Sequence, residues 1–107
     1  MGNIFKTCDE YIGLVNTGDK KVSITQMHSP SGWIGPARYS EFHEYIVVLS
    51  GQLRIEHGDG VRDLEAGQSA HIVPNEAVIL STPSKNGCEY LSVCCPAYSR
   101  ADVHNVK

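Results

Sequence analysis

What this chain lacks narrows it first. Nine Lys and Arg against twelve Asp and Glu leave a net charge of -3 with no basic cluster. Counterion release from a phosphate backbone therefore has nothing to act through, and nucleic acid is excluded as a partner. Long apolar runs are also missing. The longest, Tyr45 to Leu49, falls far short of the ~20 residues with which a helix spans a bilayer. The N-terminus shows no basic segment followed by an apolar one, and Lys6 stands where a myristoylation signal wants Ser or Thr. The expectation is a cytoplasmic protein with no membrane partner. Cys8, Cys88, Cys94 and Cys95 make no Cys-x-x-Cys, and no His lies at zinc-finger spacing, so neither a structural zinc nor a redox dithiol is written here. Reduced, mostly buried thiols are expected, with Cys94 and Cys95 on opposite faces of a strand. Nucleophile elbows, phosphate-cradling glycine loops and zinc-protease helices are absent as well.

What is present reads as strands. A chain of 107 residues supports one core and one domain, here 1–107 with its core over 21–96 and a tail over 97–107. Ten glycines and five prolines favour many turns over long helices. Lys21 to Met27 alternates, with Val22, Ile24 and Gln26 on one side, as a first strand does. Tyr45 to Leu49 is apolar on both faces, while Leu53 to Glu56 alternates. His57-Gly-Asp-Gly-Val61 is a tight hairpin, and further strands are predicted at Ser69 to Val73, Ala77 to Ser81 and Cys88 to Cys95. Strands this short and this closely spaced predict an all-β jelly roll. Only the ends read otherwise. Thr7-Cys-Asp-Glu10 has the spacing of a capping box and predicts a helical turn, His28 to Pro36 has loop composition, and Ser99 with Asp102 predicts one more turn that packs Tyr98 and Val103 against the barrel.

Glu44, six residues, then Gly51 resembles the second half of the first cupin motif, and Gly67 to Val78 is similar to the second. The resemblance runs from about Val22 to Pro96 and implies a double-stranded β-helix barrel, or cupin. In that family two histidines precede the Glu, a third follows in the second motif, and together they bind a metal. Here those three positions fall on Ala37, Tyr39 and Val78, so of the four ligands only Glu44 remains. One carboxylate does not hold a divalent cation against water, and neither metal nor cofactor is expected at the usual site. Tyr39-Ser-Glu41, the Glu44 to Gly51 run and Pro96-Ala97 resemble ethanolamine-utilisation cupins. Ser29 to Trp33, Glu41-Phe42, Ala66-Gly-Gln68 and Pro96 to Ser99 are similar to small bacterial cupins that are compared with mannose-6-phosphate isomerase.

Glu44 is the leading candidate, because a carboxylate opening an apolar strand is expensive to bury without a partner. Its functional role is balanced against an ion pair with Arg38 or Arg54. Three readings follow. In the first, the barrel binds a small polar metabolite, carbohydrate-like, through Glu44, Arg38, Tyr39 and Glu41, with Trp33 at the mouth. In the second, an isomerase or lyase uses Glu44 as general base and Tyr39 or His71 as acid, all within ~3 Å of one substrate position; its variant is a rebuilt metal site in which Glu44 recruits His71 and Glu41. A structural or regulatory dimer with a filled barrel is the third. His43 should face away from Glu44. A homodimer is expected, since Ile46 and Val48 suffice for the core and Tyr45, Val47 and Leu49 then line an outer face.

Overall fold

A computed structural model describes residues 7–14, 16–58 and 60–106. Ten strands lie among them. The first sheet holds β1 (Thr7–Ile12) and β2 (Ser23–Ser29); the second begins with the short β3 (Trp33–Ile34) and β4 (Arg38–Ser40). Then comes β5 (His43–His57), followed by β6 (Gly60–Glu65), β7 (Ser69–Ile72), β8 (Val78–Thr82), β9 (Cys88–Cys95) and β10 (Val103–Asn105). The order is β1-β2-β9-β5-β8-β4-β10, with β6 and β7 also on β5 and β3 on β8. β5 belongs to both sheets. Its first half pairs with β9 and β7, its second with β6 and β8, which curls the whole into a barrel. Among the described residues no helix is long and apolar enough to cross a membrane.

The corner of β5 is Gly51, with φ of 78°. A Cβ there would lie 2.1 Å from the Gly87 carbonyl oxygen, and one on Gly87 would lie 2.4 Å from that of Ser29. Three backbones meet without room for a side chain, so only glycine allows the bend. Along the first half of β5, Glu44, Ile46 and Val48 are buried and Tyr45, Val47 and Leu49 exposed. This is the period of two expected of a strand with one face inward. Ile46, Val48, Leu53, Ile55, Leu64, Ile72, Val78, Leu80, Cys88 and Tyr90 form the core cluster.

Four features depart from the sequence reading. Thr7 to Glu10 is strand, because the antiparallel ladder from Thr7 opposite His28 to Ile12 opposite Ile24 outweighs one isolated helical turn, whose nucleation is unfavourable. The stretch from His28 to Pro36 is not all loop, since Trp33 and Ile34 pair with Thr82 and Ser81. The tail does contain a turn, a 3-10 segment at Arg100–Asp102, but Ser99 makes no side-chain cap, and Val103 to Asn105 continues as a strand against β4. Val22, Ile24 and Gln26 do share one side, the outer one, and Ser23 and Thr25 are buried. The thiols divide evenly, Cys88 and Cys94 buried and Cys8 and Cys95 exposed, rather than mostly buried.

Candidate ligand site inside the barrel

The inward side chains of β9 run Cys88, Tyr90, Ser92, Cys94, and those of β2 include Ser23 and Thr25. Bulky groups fill one end and small ones the other. The strands keep their spacing, so the shortage of side-chain volume at the second end leaves a cavity of about 400 Å³. Met27, Phe42, Tyr98, Val103 and the thiols of Cys8 and Cys94 form most of its wall, with Glu10, Thr25, Arg38, Glu44 and Ser92 as the polar members. The tail helps close it. Tyr98 donates its backbone N–H to Ser23 Oγ at 2.8 Å, and its ring lies 5.8 Å from that of Phe42.

Glu44 is at the polar end. Burial leaves it 5% exposed, and it sits on the same face of β5 as Ile46. Arg38, on β4 in the opposite sheet, reaches across the barrel and donates from Nη2 to Glu44 Oε1 at 2.9 Å. Arg38 Nη1 also donates to Ser40 Oγ at 3.1 Å. Ser92 Oγ donates to Glu44 Oε2 at 2.6 Å. The carboxylate is thus held from both sheets, the compensation a buried charge requires. Burial, and after it the Glu44 charge, pushes the neighbouring Cys94 thiol up to about 11, so it lines the site as a neutral thiol and not as a nucleophile. Tyr90, deeper in the core, is raised by the same two causes.

Of the residues singled out from sequence, the structure brings Glu44 and Arg38 together and leaves the others elsewhere. Tyr39 neighbours Arg38 on β4 and so faces outward, its ring 5.1 Å from that of His104. Glu41 bonds His104 Nε2 at 2.7 Å on the exterior. Trp33 packs partly against the core and borders an outer groove with Ile34, Arg54 and Glu56, not the mouth above Glu44. His71 is exposed and lies against His43 and Tyr45 on the outer surface. His43 faces away from Glu44, as the alternation requires. Arg54 pairs with Asp63, leaving Glu44 to Arg38. Ser92, Cys94, Thr25 and Phe42 escaped the sequence reading, although alternation from Tyr90 places Ser92 and Cys94 on the inner face.

The donor set does not fit a metal of the usual kind. Glu44 Oε1 is held by the Arg38 guanidinium, a fixed positive charge beside which a divalent cation is repelled. Tyr39 points away, Val78 is buried in the apolar core, and Ala37 has no donor atom. Among the described residues no three His, Cys, Asp or Glu side chains converge on one point.

Barrel topology and a buried polar cluster at one end define a double-stranded β-helix protein. Residues 25–94 match the cupin domain family, and the chain belongs to it. A stretch of 93 residues is 31% identical to the endoribonuclease YbeY of Myxococcus xanthus (strain DK1622), covering 87% of this chain and 32% of that protein. The chain therefore spans about a third of the length of this curated relative. Solved structures show the same fold. The polyketide cyclase RemF of Streptomyces resistomycificus is 21% identical, with a TM-score of 0.81 over 95% of this chain and 71% of its own. Oxalate decarboxylase of Bacillus subtilis gives 0.83 at 14% identity, over 92% of this chain and 27% of its own. A putative ethanolamine utilization protein EutQ of Salmonella typhimurium LT2 gives 0.74 at 19% identity, over 87% and 71%. At such identities the likeness concerns the fold alone.

Proposed function

We propose that this cupin binds a small amphipathic organic molecule in the barrel, its polar end against the Arg38–Glu44–Ser92 cluster and its body against Met27, Phe42 and Tyr98. The observation that carries this is the cavity itself, about 400 Å³ with a mostly apolar wall into which the Arg38–Glu44–Ser92 cluster is set, within the range of small-molecule sites. Such a wall favours a ligand less polar than the carbohydrate-like one expected from sequence, since a sugar needs hydrogen-bond partners around its whole ring. A filled barrel is disfavoured by the same space.

Binding is preferred over turnover. Glu44 has the position of a general base, but Tyr39 and His71, the acids proposed from sequence, lie outside the cavity, and catalysis needs both groups in reach of one substrate. The Arg38 guanidinium takes the place of a metal as the internal positive charge. An action on RNA, suggested by the name of the relative, finds no basic cluster in this chain. Four unpaired cysteines support a reducing, cytoplasmic setting.

The binding molecule is proposed to be a homodimer. Directly opposed residues of an antiparallel sheet share a face, and Tyr45, Val93, Ile24 and Ile12 follow one another across four strands, with Val47 beside Leu91. This apolar outer surface supports pairing with a second copy. Thermal-shift screening of small aromatic and aliphatic acids, alcohols and sugars tests the ligand reading. Amphipathic compounds should raise the Tm of the parent and not of Ser92→Met, which fills the polar end. Stabilisation by sugars alone, or equally in both proteins, would refute it.

A further inference from the structure

We propose that His43 and His71 form an external bis-imidazole site for a divalent cation of the zinc, nickel and copper type, unrelated to the position beside Glu44. His43 opens β5 and His71 lies in β7, where it is the partner of Tyr45; the two histidines are therefore diagonal neighbours on one outer face. Their facing nitrogens, His43 Nδ1 and His71 Nε2, are 2.8 Å apart. In the neutral pair one of these atoms donates to the other.

The distance suits a metal with a small adjustment. Two bonds of ~2.0–2.1 Å meeting at a tetrahedral angle separate their nitrogens by roughly 3.3 Å, so an opening of about half an ångström admits the ion. Both side chains are on the surface and make that movement by small rotations. On coordination the proton between the rings moves through solvent to the outer nitrogen of the donor ring. Both imidazoles stay neutral, and each presents a lone pair inward. Borderline cations are the ones that prefer imidazole nitrogen, whereas calcium and magnesium prefer oxygen.

The rings are also restrained. Tyr45 stacks on His71 at 4.4 Å and 13° between planes, and His43 lies 5.1 Å from His71 at 27°. Restraint of this kind lowers the ordering cost of chelation. Two protein donors leave coordination positions open, to be filled by water or by the same pair from a second copy, since these histidines adjoin the apolar face described above. The stoichiometry is then one ion per chain or one per two chains.

The experiment is calorimetric titration of zinc chloride into the untagged, reduced full chain, with ring 15N shifts of the histidines followed in parallel. The expected result is one saturable site whose affinity falls tenfold or more in His43→Gln and in His71→Gln. His28→Gln, a separate surface histidine, and Cys95→Ser, which removes the exposed thiol opposite His43, should leave affinity within threefold. In the parent the ring nitrogens of His43 and His71 should shift together, a readout that needs no variant. No saturable site, affinity as tight as the parent's in either histidine variant, loss on Cys95→Ser, or shifts confined to other imidazoles would each overturn the proposal.

Discussion

The ion pair between Arg38 and Glu44 joins the two sheets from inside, so its removal can be worked through quantitatively. Arg38 and Glu44 side chains are 18% and 6% exposed. In Arg38→Met the Glu44 carboxylate keeps only the Ser92 hydroxyl; in Glu44→Met the guanidinium keeps only Ser40. Breaking one side of a buried pair costs ~3–5 kcal/mol, and the remaining hydrogen bond places both variants near the lower figure. For a domain of this size ~3 kcal/mol corresponds to a Tm lower by roughly 12–15 °C. The double variant Arg38→Met/Glu44→Met removes both charges and keeps most of the volume, so it should lie within about 1 kcal/mol of the parent. The two losses are then far from additive, with a coupling of ~5 kcal/mol. Equilibrium unfolding in urea at constant m-value measures all four proteins. Single losses below ~1 kcal/mol, or a double variant equal to the sum of the singles, would refute the argument that these charges depend on each other. The double variant also serves the functional question, because it should fold yet lack the polar end that the ligand is proposed to use.

Gly51→Ala combines a left-handed φ with a contact of 2.1 Å to the Gly87 oxygen and should cost at least ~3 kcal/mol in the same assay. Gly67→Ala, with a similar φ and open space around it, should cost only ~1 kcal/mol. Burial raises the thiols of Cys88 and Cys94 from 9.0 to about 11 in the folded state. The folded protein then holds protons that the unfolded chain releases above pH 9, so stability should be steady below about pH 9 and fall between 9 and 11. Cys88→Ala/Cys94→Ala should flatten that fall, and a parent whose unfolding midpoint is constant to pH 10.5 contradicts the assignment. At pH 7.5 a thiol-labelling reagent should modify Cys8 and Cys95 quickly and the other two only on unfolding. Light scattering at micromolar concentration should give twice the chain mass of 11.7 kDa, and Val47→Glu should give the monomer; a monomeric parent removes the proposed pairing.

Much of the barrel could be read without coordinates because its signals are local. The alternation of β5 follows from a side-chain period of two, and the Gly51 corner and the Glu44 to Gly51 spacing lie within one strand. Within the Gly67 to Val78 stretch, Asn75 turns the chain with a positive φ of 68°, which Asn tolerates better than most residues. The start of the chain reads wrongly for the opposite reason. Thr7 to Glu10 carries a helix-start pattern, and its conversion to a strand depends on β2, a partner many residues away that no local pattern reveals.

The sequence by itself determined the strand pattern, the inward direction of Glu44, the outward direction of His43 and the opposed faces of Cys94 and Cys95, since each follows from alternation along one strand. Only the tertiary structure decided which of two arginines meets Glu44, because that depends on which strand of the opposite sheet crosses the barrel at its level. The same holds for the cavity, which arises from small side chains on β2 and β9 brought to one end. It holds also for the meeting of His43 with His71, separate in sequence and adjacent only through the register of β5 with β7.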